Sequence, residues 1–182
     1  MRRSTATTRL RGRRERTRLV AMLAYPKAQI LDITGPLEVF ARTSRWLEDH
    51  TGRRVPAYAV ELVAARRGPL ETSGGLRLIA ARTYRELRHV DTLLVAGGIG
   101  YEAALTDAEL LAWLRARAKV VPRIGSICTG ALILARAGLL DGRRATTHWM
   151  YARTMPLTPV CAAARPLIGT MIVAWKSRSV WA

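Results

Sequence analysis

The sequence predicts an α/β fold, a three-layer sandwich around a mainly parallel, flavodoxin-like sheet. Two observations carry that prediction. Short apolar runs alternate with stretches of helical periodicity along residues 18–147. The runs are apolar throughout rather than alternating, as strands buried on both faces require.

The elements follow in order. Residues 18–24 form a buried strand closed by Pro26. Thr34-Gly35-Pro36 opens a helix, with Thr34 near the N-cap and Pro36 in the first turn, where its missing N–H costs nothing. Leu37, Phe40, Ala41 and Ser44 recur at helical spacing through about Glu48. Tyr58 to Ala64 is a second strand, and Ser73-Gly74-Gly75 is a hairpin turn between Leu70-Glu71-Thr72 and Leu76-Arg77-Leu78-Ile79. Thr92 to Ala96 is a third buried strand, stopped by Gly97-Gly98. Thr106-Asp107-Ala108-Glu109 has the pattern of a capping box, with Leu110, Leu111 and Leu114 as the apolar stripe of the helix behind it. Val120 to Ile127 is a strand, Ala131 to Ala137 a helix ended by Gly138, and Arg144 to Thr147 a short strand. Trp46 and Trp113 lie on apolar helix faces and are expected in the core.

Composition narrows the function classes. The 182 residues suffice for one domain with a real core. Apolar residues make up 49%, too many for a disordered chain. No stretch approaches the roughly 18 consecutive apolar residues of a membrane-spanning helix. The formal charge of +17 is uneven: residues 1–18 carry +7, residues 142–182 carry +6, and the 123 residues between carry only +4. Residues 1–17 are expected to be a disordered basic arm, which could touch DNA weakly. Arginine outnumbers lysine 27 to 3, a bias that a GC-rich genome also produces. Two cysteines, Cys128 and Cys161, form no disulfide framework, so a reducing, cytoplasmic location is expected. The three histidines and two cysteines show no metal-ligand spacing, and neither a metal nor a cofactor is expected.

In parallel sheets the ligand site lies beyond the carboxyl ends of the strands. The segment 25–38, Gly97-Gly98, Cys128 and His148 all fall at such ends. Cys128 sits where a strand meets a helix, the position of a nucleophile elbow, and the nearby helix N-terminus is expected to lower its pKa. Alternatively it is a buried apolar filler. Gly97 and Gly98 could aim backbone N–H groups at an anion, or form a simple turn. Asp32, read as lying in the loop after the first strand, could accept a hydrogen bond from the thiol or a ligand, or shape a turn. Glu38 could do the same, or be a solvated charge. His148 could serve Cys128 as a base, or be structural.

These residues carry a resemblance. Leu31-Asp32-Ile33-Thr34-Gly35-Pro36-Leu37-Glu38-Val39-Phe40, Leu93 to Gly98, Ser126-Ile127-Cys128-Thr129-Gly130-Ala131 and Ala137 to Trp149 are similar to the ThiJ/PfpI superfamily of class I glutamine amidotransferase-like domains. The match covers residues 18–150. Val60-Glu61-Leu62-Val63-Ala64 and Glu71 to Leu76 point within it to the N-terminal domain of GlxA-type regulators of the AraC group. The resemblance implies a domain that senses a small ligand, a separate helix-turn-helix part that binds DNA, and a homodimer. Isonitrile hydratase is the enzymatic relative it implies. There a cysteine attacks the isonitrile carbon and hydration yields a formamide, which would make Cys128 the nucleophile assisted by Asp32 and Thr129. Members with protease activity carry His directly after the cysteine, and Thr129 stands there instead.

After Trp149 the resemblance fades. A C-terminal strand and helix of the family are expected to be missing or replaced in residues 151–182, although Leu167 to Trp175 could form a strand. The loss of acids and of pattern suggests a truncated regulator, frameshifted near residues 150–160 and without its helix-turn-helix part. The other reading frames of the gene test that idea, which fails if none restores the missing elements.

Overall fold

Residues 15–143, 145–154 and 176–177 are described by a computed structural model. Its strands are β1 (Arg18–Leu23), β2 (Tyr58–Ala64), β3 (Gly68–Glu71), β4 (Arg77–Ala80), β5 (Arg82–Thr83), β6 (Thr92–Val95), β7 (Arg123–Ser126) and β8 (Lys176–Ser177). Its helices are α1 (Ile30–Thr51), α2 (Tyr101–Thr106), α3 (Ala108–Ala118) and α4 (Gly130–Arg136). The main sheet runs β5-β2-β1-β6-β7-β8. All its pairings are parallel except β7 with β8. Its central strands are apolar because both faces are covered: Val20 to Leu23 and Thr92 to Val95 are all buried. The hairpin β3–β4 forms a separate two-stranded sheet.

Strand β1 sends the chain through α1 to β2 on one side, while β6 lies on its other side and leads through α2 and α3 to β7. Right-handed crossovers running in opposite lateral directions place α1 and α3 on opposite faces. The order therefore reverses at β1 and β6, and their carboxyl ends open a crevice.

Several boundaries differ from the sequence reading. Helix α1 starts at Ile30, not near Thr34: Gln29 is the N-cap and its Oε1 accepts the Ile30 N–H at 2.9 Å. Tertiary hydrogen bonds decide this, because Lys27 N–H donates to the Glu71 carbonyl and Gln29 N–H to the Gly97 carbonyl, turning the chain early. Asp32 consequently lies in the first helical turn and not in a loop. Pro36 sits well inside the helix, where it offers no N–H to the Asp32 carbonyl. The helix runs past Glu48 to Thr51 and is closed by Gly52 at φ 67°.

Thr106 ends α2, an element the pattern did not suggest, and Asp107 alone caps α3 by accepting the Leu110 N–H at 2.9 Å. A true capping box forms instead at Thr83 and Glu86. No strand forms over 145–147; Ala145 makes a single bridge, and Arg144 lies outside the described residues. Trp113 does pack in, against Tyr84 with ring centroids 4.9 Å apart. Trp46 does not: it is 56% exposed and stacks on His50.

Residues 15–17, which the sequence reading placed in the arm, are tied to the domain. Arg16 reaches Asp91, Thr17 Oγ1 donates to the Pro56 carbonyl, and Glu15 accepts the Arg54 N–H. Residues 1–14 and the proposed strand at 167–175 lie outside the described residues. Among the described residues no helix is long and apolar enough to cross a membrane, and no group of three or more His, Cys, Asp or Glu could hold a metal.

Candidate functional site

The carboxyl ends of β1, β6 and β7 meet at a cleft of about 310 Å³, lined among others by Gln29, Asp32, Gly98, Cys128, Thr129 and His148. Each strand contributes through the loop or helix start that follows it. Gln29 and Asp32 come from the start of α1, Gly98 from the loop after β6, and Cys128 and Thr129 from the corner between β7 and α4.

Cys128 has φ 54°, the left-handed region that side-chain-bearing residues rarely adopt. The corner is held from several directions. Gly130 N–H donates to the Ile127 carbonyl at 2.9 Å. Thr147 Oγ1 donates to the Cys128 carbonyl at 3.0 Å. Gly130 must be glycine here, because a Cβ would come within 2.4 Å of the Val95 carbonyl oxygen. Helix α4 thus packs closely against β6, as the sequence suggested.

The thiol is not activated at rest. Burial, and after it the negative charge of Asp32, push Cys128 up to about 11; the Thr129 amide and hydroxyl pull the other way without offsetting this. The expected lowering is not found: desolvation first and the neighbouring carboxylate second raise the thiol.

Asp32 is also raised, first by burial. Its Oδ2 is shielded from water and makes no hydrogen bond of ordinary geometry to any described residue. The Cys128 thiol and the Gly97 amide nevertheless lie near enough to favour its charged form in part. The crowding is tight: a Cβ on Gly97 would sit 2.6 Å from both Asp32 Oδ2 and Cys128 Cβ.

The paired glycines do not present two free donors. Gly98 N–H is taken by Thr129 Oγ1 at 2.9 Å, and the Gly97 amide is directed toward the Asp32 carboxyl. The backbone amide beside the sulfur is that of Thr129.

His148 lines the cleft, but its Nδ1 accepts the Met150 N–H at 3.3 Å.

Glu38 is not at the cleft. It lies on the outer side of α1, 62% exposed, and pairs with Arg45 at 2.9 Å. Its spacing from Asp32, six residues along a helix, turns it away once α1 begins at Ile30 rather than at Thr34.

Sequence reasoning missed Gln29, Thr147 and Tyr25. Gln29 Oε1 accepts from both Ile30 N–H and Ser73 Oγ, which ties the hairpin to the cleft rim. Tyr25 is buried behind Thr129, its hydroxyl donating to the Ala96 carbonyl at 3.1 Å, and burial raises its pKa. Tyr25 and Gln29 fall within the segment 25–38 but were not singled out there. Thr147 was hidden by the expected strand at 144–147.

Residues 18–176 match the model of the DJ-1/PfpI family. The chain is 35% identical over 137 residues to isonitrile hydratase from Pseudomonas putida, covering 75% of this chain and 55% of that protein. It is 39% identical over 92 residues to the HTH-type transcriptional regulator CdhR from Pseudomonas aeruginosa, covering 50% of this chain and 27% of that one. The chain thus spans about half of the first and a quarter of the second. A ThiJ/PfpI family protein from Pseudomonas syringae superimposes with a TM-score of 0.70 at 30% identity, over 82% of this chain and 58% of its own. Strand order, cleft and similarity agree, and the chain belongs to the DJ-1/PfpI family.

Proposed function

We propose that this chain is a ligand-sensing domain, which takes a small molecule into the cleft beside Cys128 in the manner of the regulators it resembles. The observation that carries this reading is a cleft whose lining is already hydrogen-bonded within the protein: the Gly98 N–H is held by Thr129 Oγ1 at 2.9 Å. Burial, and after it Asp32, push the thiol up to about 11, which favours its protonated form at neutral pH. Of the paired glycine amides, Gly98 is taken by Thr129 Oγ1 and Gly97 is directed toward Asp32, which leaves the Thr129 amide beside the sulfur. Such a cleft suits reversible binding. Several HTH-type transcriptional regulators among its relatives support the same reading.

A second reading is favoured by Asp32. A half-buried carboxyl with a raised pKa and a shielded, unpartnered Oδ2 beside a thiol at a nucleophile elbow can move a proton during addition. With an isonitrile the balanced sequence is simple. The sulfur bonds to the terminal carbon, and the thiol proton reaches the same carbon through Asp32, forming a thioimidate. Water then adds to that carbon, the C–S bond breaks, and an N-substituted formamide leaves with the thiol restored.

Pre-steady-state assays with a panel of isonitriles separate the two. No formamide from wild-type protein supports sensing. Formamide that disappears in both Cys128→Ala and Asp32→Asn supports hydration and overturns sensing as the sole function.

A further inference from the structure

We propose that Thr147 is a positioning residue for Cys128: its hydroxyl, through the Cys128 carbonyl, locks the left-handed corner to the chain segment that forms the His148 wall of the cleft. The proposal rests on the cleft being the functional site but on neither chemistry assigned to it.

A residue with a side chain does not stay at φ 54° unless its surroundings hold it there. The Cys128 carbonyl accepts two hydrogen bonds. One comes from Ala131 N–H at 3.3 Å and belongs to the start of α4. The other comes from Thr147 Oγ1 at 3.0 Å, across 19 residues of sequence. Thr147 is fully buried, so water cannot replace it. Its bond is also unlike those of the threonines in α1. Thr34, Thr43 and Thr51 each donate to the carbonyl four residues earlier, which satisfies the hydroxyl locally and positions nothing else. Thr147 forgoes a local acceptor and reaches the backbone of the one non-glycine residue with a left-handed φ among the described residues of the cleft. The next residue along the chain is His148, so one hydroxyl ties the thiol corner to the opposite wall.

The test is the pH dependence of Cys128 alkylation by iodoacetamide, followed by mass spectrometry of the Cys128 peptide so that Cys161 does not interfere. Thr147→Val removes the donor at nearly constant volume, and Thr147→Ser keeps it. Burial is the main cause of the high thiol pKa, so a released corner that admits water lowers it. The expected result is a Thr147→Val inflection at least one pH unit below wild type, with at least about tenfold faster alkylation at pH 8, while Thr147→Ser follows wild type. Circular dichroism confirms that each variant is folded. A folded Thr147→Val protein with the wild-type profile overturns the proposal. If that variant does not fold, the serine variant decides: a wild-type profile supports the proposal and a shifted profile overturns it. No ligand is needed, so failure of the sensing reading leaves this result unaffected.

Discussion

Thr129 Oγ1 accepts the Gly98 N–H at 2.9 Å, and this bond joins the loop after β6 to the corner after β7. Thr129 is buried and Gly98 half-buried, so loss of the hydroxyl leaves the Gly98 donor without its protein partner. Thr129→Val should therefore cost roughly 1–3 kcal/mol of unfolding free energy. Thr129→Ser should cost markedly less. Urea unfolding of the two variants measures the difference, and equal losses would show that the hydroxyl is not what matters.

Gly97 has no room for a side chain. An alanine Cβ would meet Asp32 Oδ2 and Cys128 Cβ at 2.6 Å and the Thr129 backbone nitrogen at 2.8 Å. Two of these atoms are backbone or next to it and cannot swing aside. Gly97→Ala should destabilise the protein by roughly 1–3 kcal/mol, read as a lowered thermal midpoint. An unchanged midpoint would contradict the close approach.

Cys128 alkylation by iodoacetamide should rise through an inflection at about 11. Asp32 acts on the thiol chiefly as a nearby negative charge, second only to burial. Removing that charge favours the thiolate, so Asp32→Asn should move the inflection down. An inflection at or above the wild-type value in Asp32→Asn would show that the two groups do not interact in this way.

Asp91 governs acid stability. Burial opposes its charge, but the Arg16 hydrogen bonds, the Leu19 N–H and the charges of Arg16 and His89 outweigh burial and hold its pKa below the ordinary value. A carboxylate lowered on folding contributes stability above its unfolded pKa, about 3.9. That contribution is lost as pH falls through the lower folded value. Asp91→Asn should cost about 2 kcal/mol at pH 7, less than a fully buried pair because Arg16 is half exposed. The gap between variant and wild type should narrow as pH falls below the unfolded pKa, about 3.9. Denaturant unfolding across pH tests both the size and the narrowing.

Much of the fold was legible because burial on both faces leaves a direct mark on sequence. Val20 to Leu23 and Thr92 to Val95 are uninterrupted apolar runs, and both are central strands. Gly130 was readable as a close-packing position for a similar reason: a strand meeting a helix leaves little room at their junction. Helix starts were less legible. Thr34 and Thr106 have the right local chemistry for caps, yet Gln29 and Asp107 serve, because backbone bonds from Lys27 and Gln29 to distant loops fix where α1 begins. Of the strand expected at 144–147, Ala145 alone makes a bridge among the described residues, and Thr147 Oγ1 bonds to a carbonyl 19 residues away.

The sequence by itself determined the layered α/β architecture, the family and the meeting of Asp32, Cys128 and Thr129 at one end of the sheet. These follow from apolar patterning and from short motifs, which are local properties. Only the tertiary structure decided the state of the site: that Gly98 is already engaged by Thr129, and that burial and Asp32 raise the Cys128 thiol. Each depends on desolvation or on a hydrogen bond between residues far apart in the chain, and neither leaves a periodic trace in the order of amino acids.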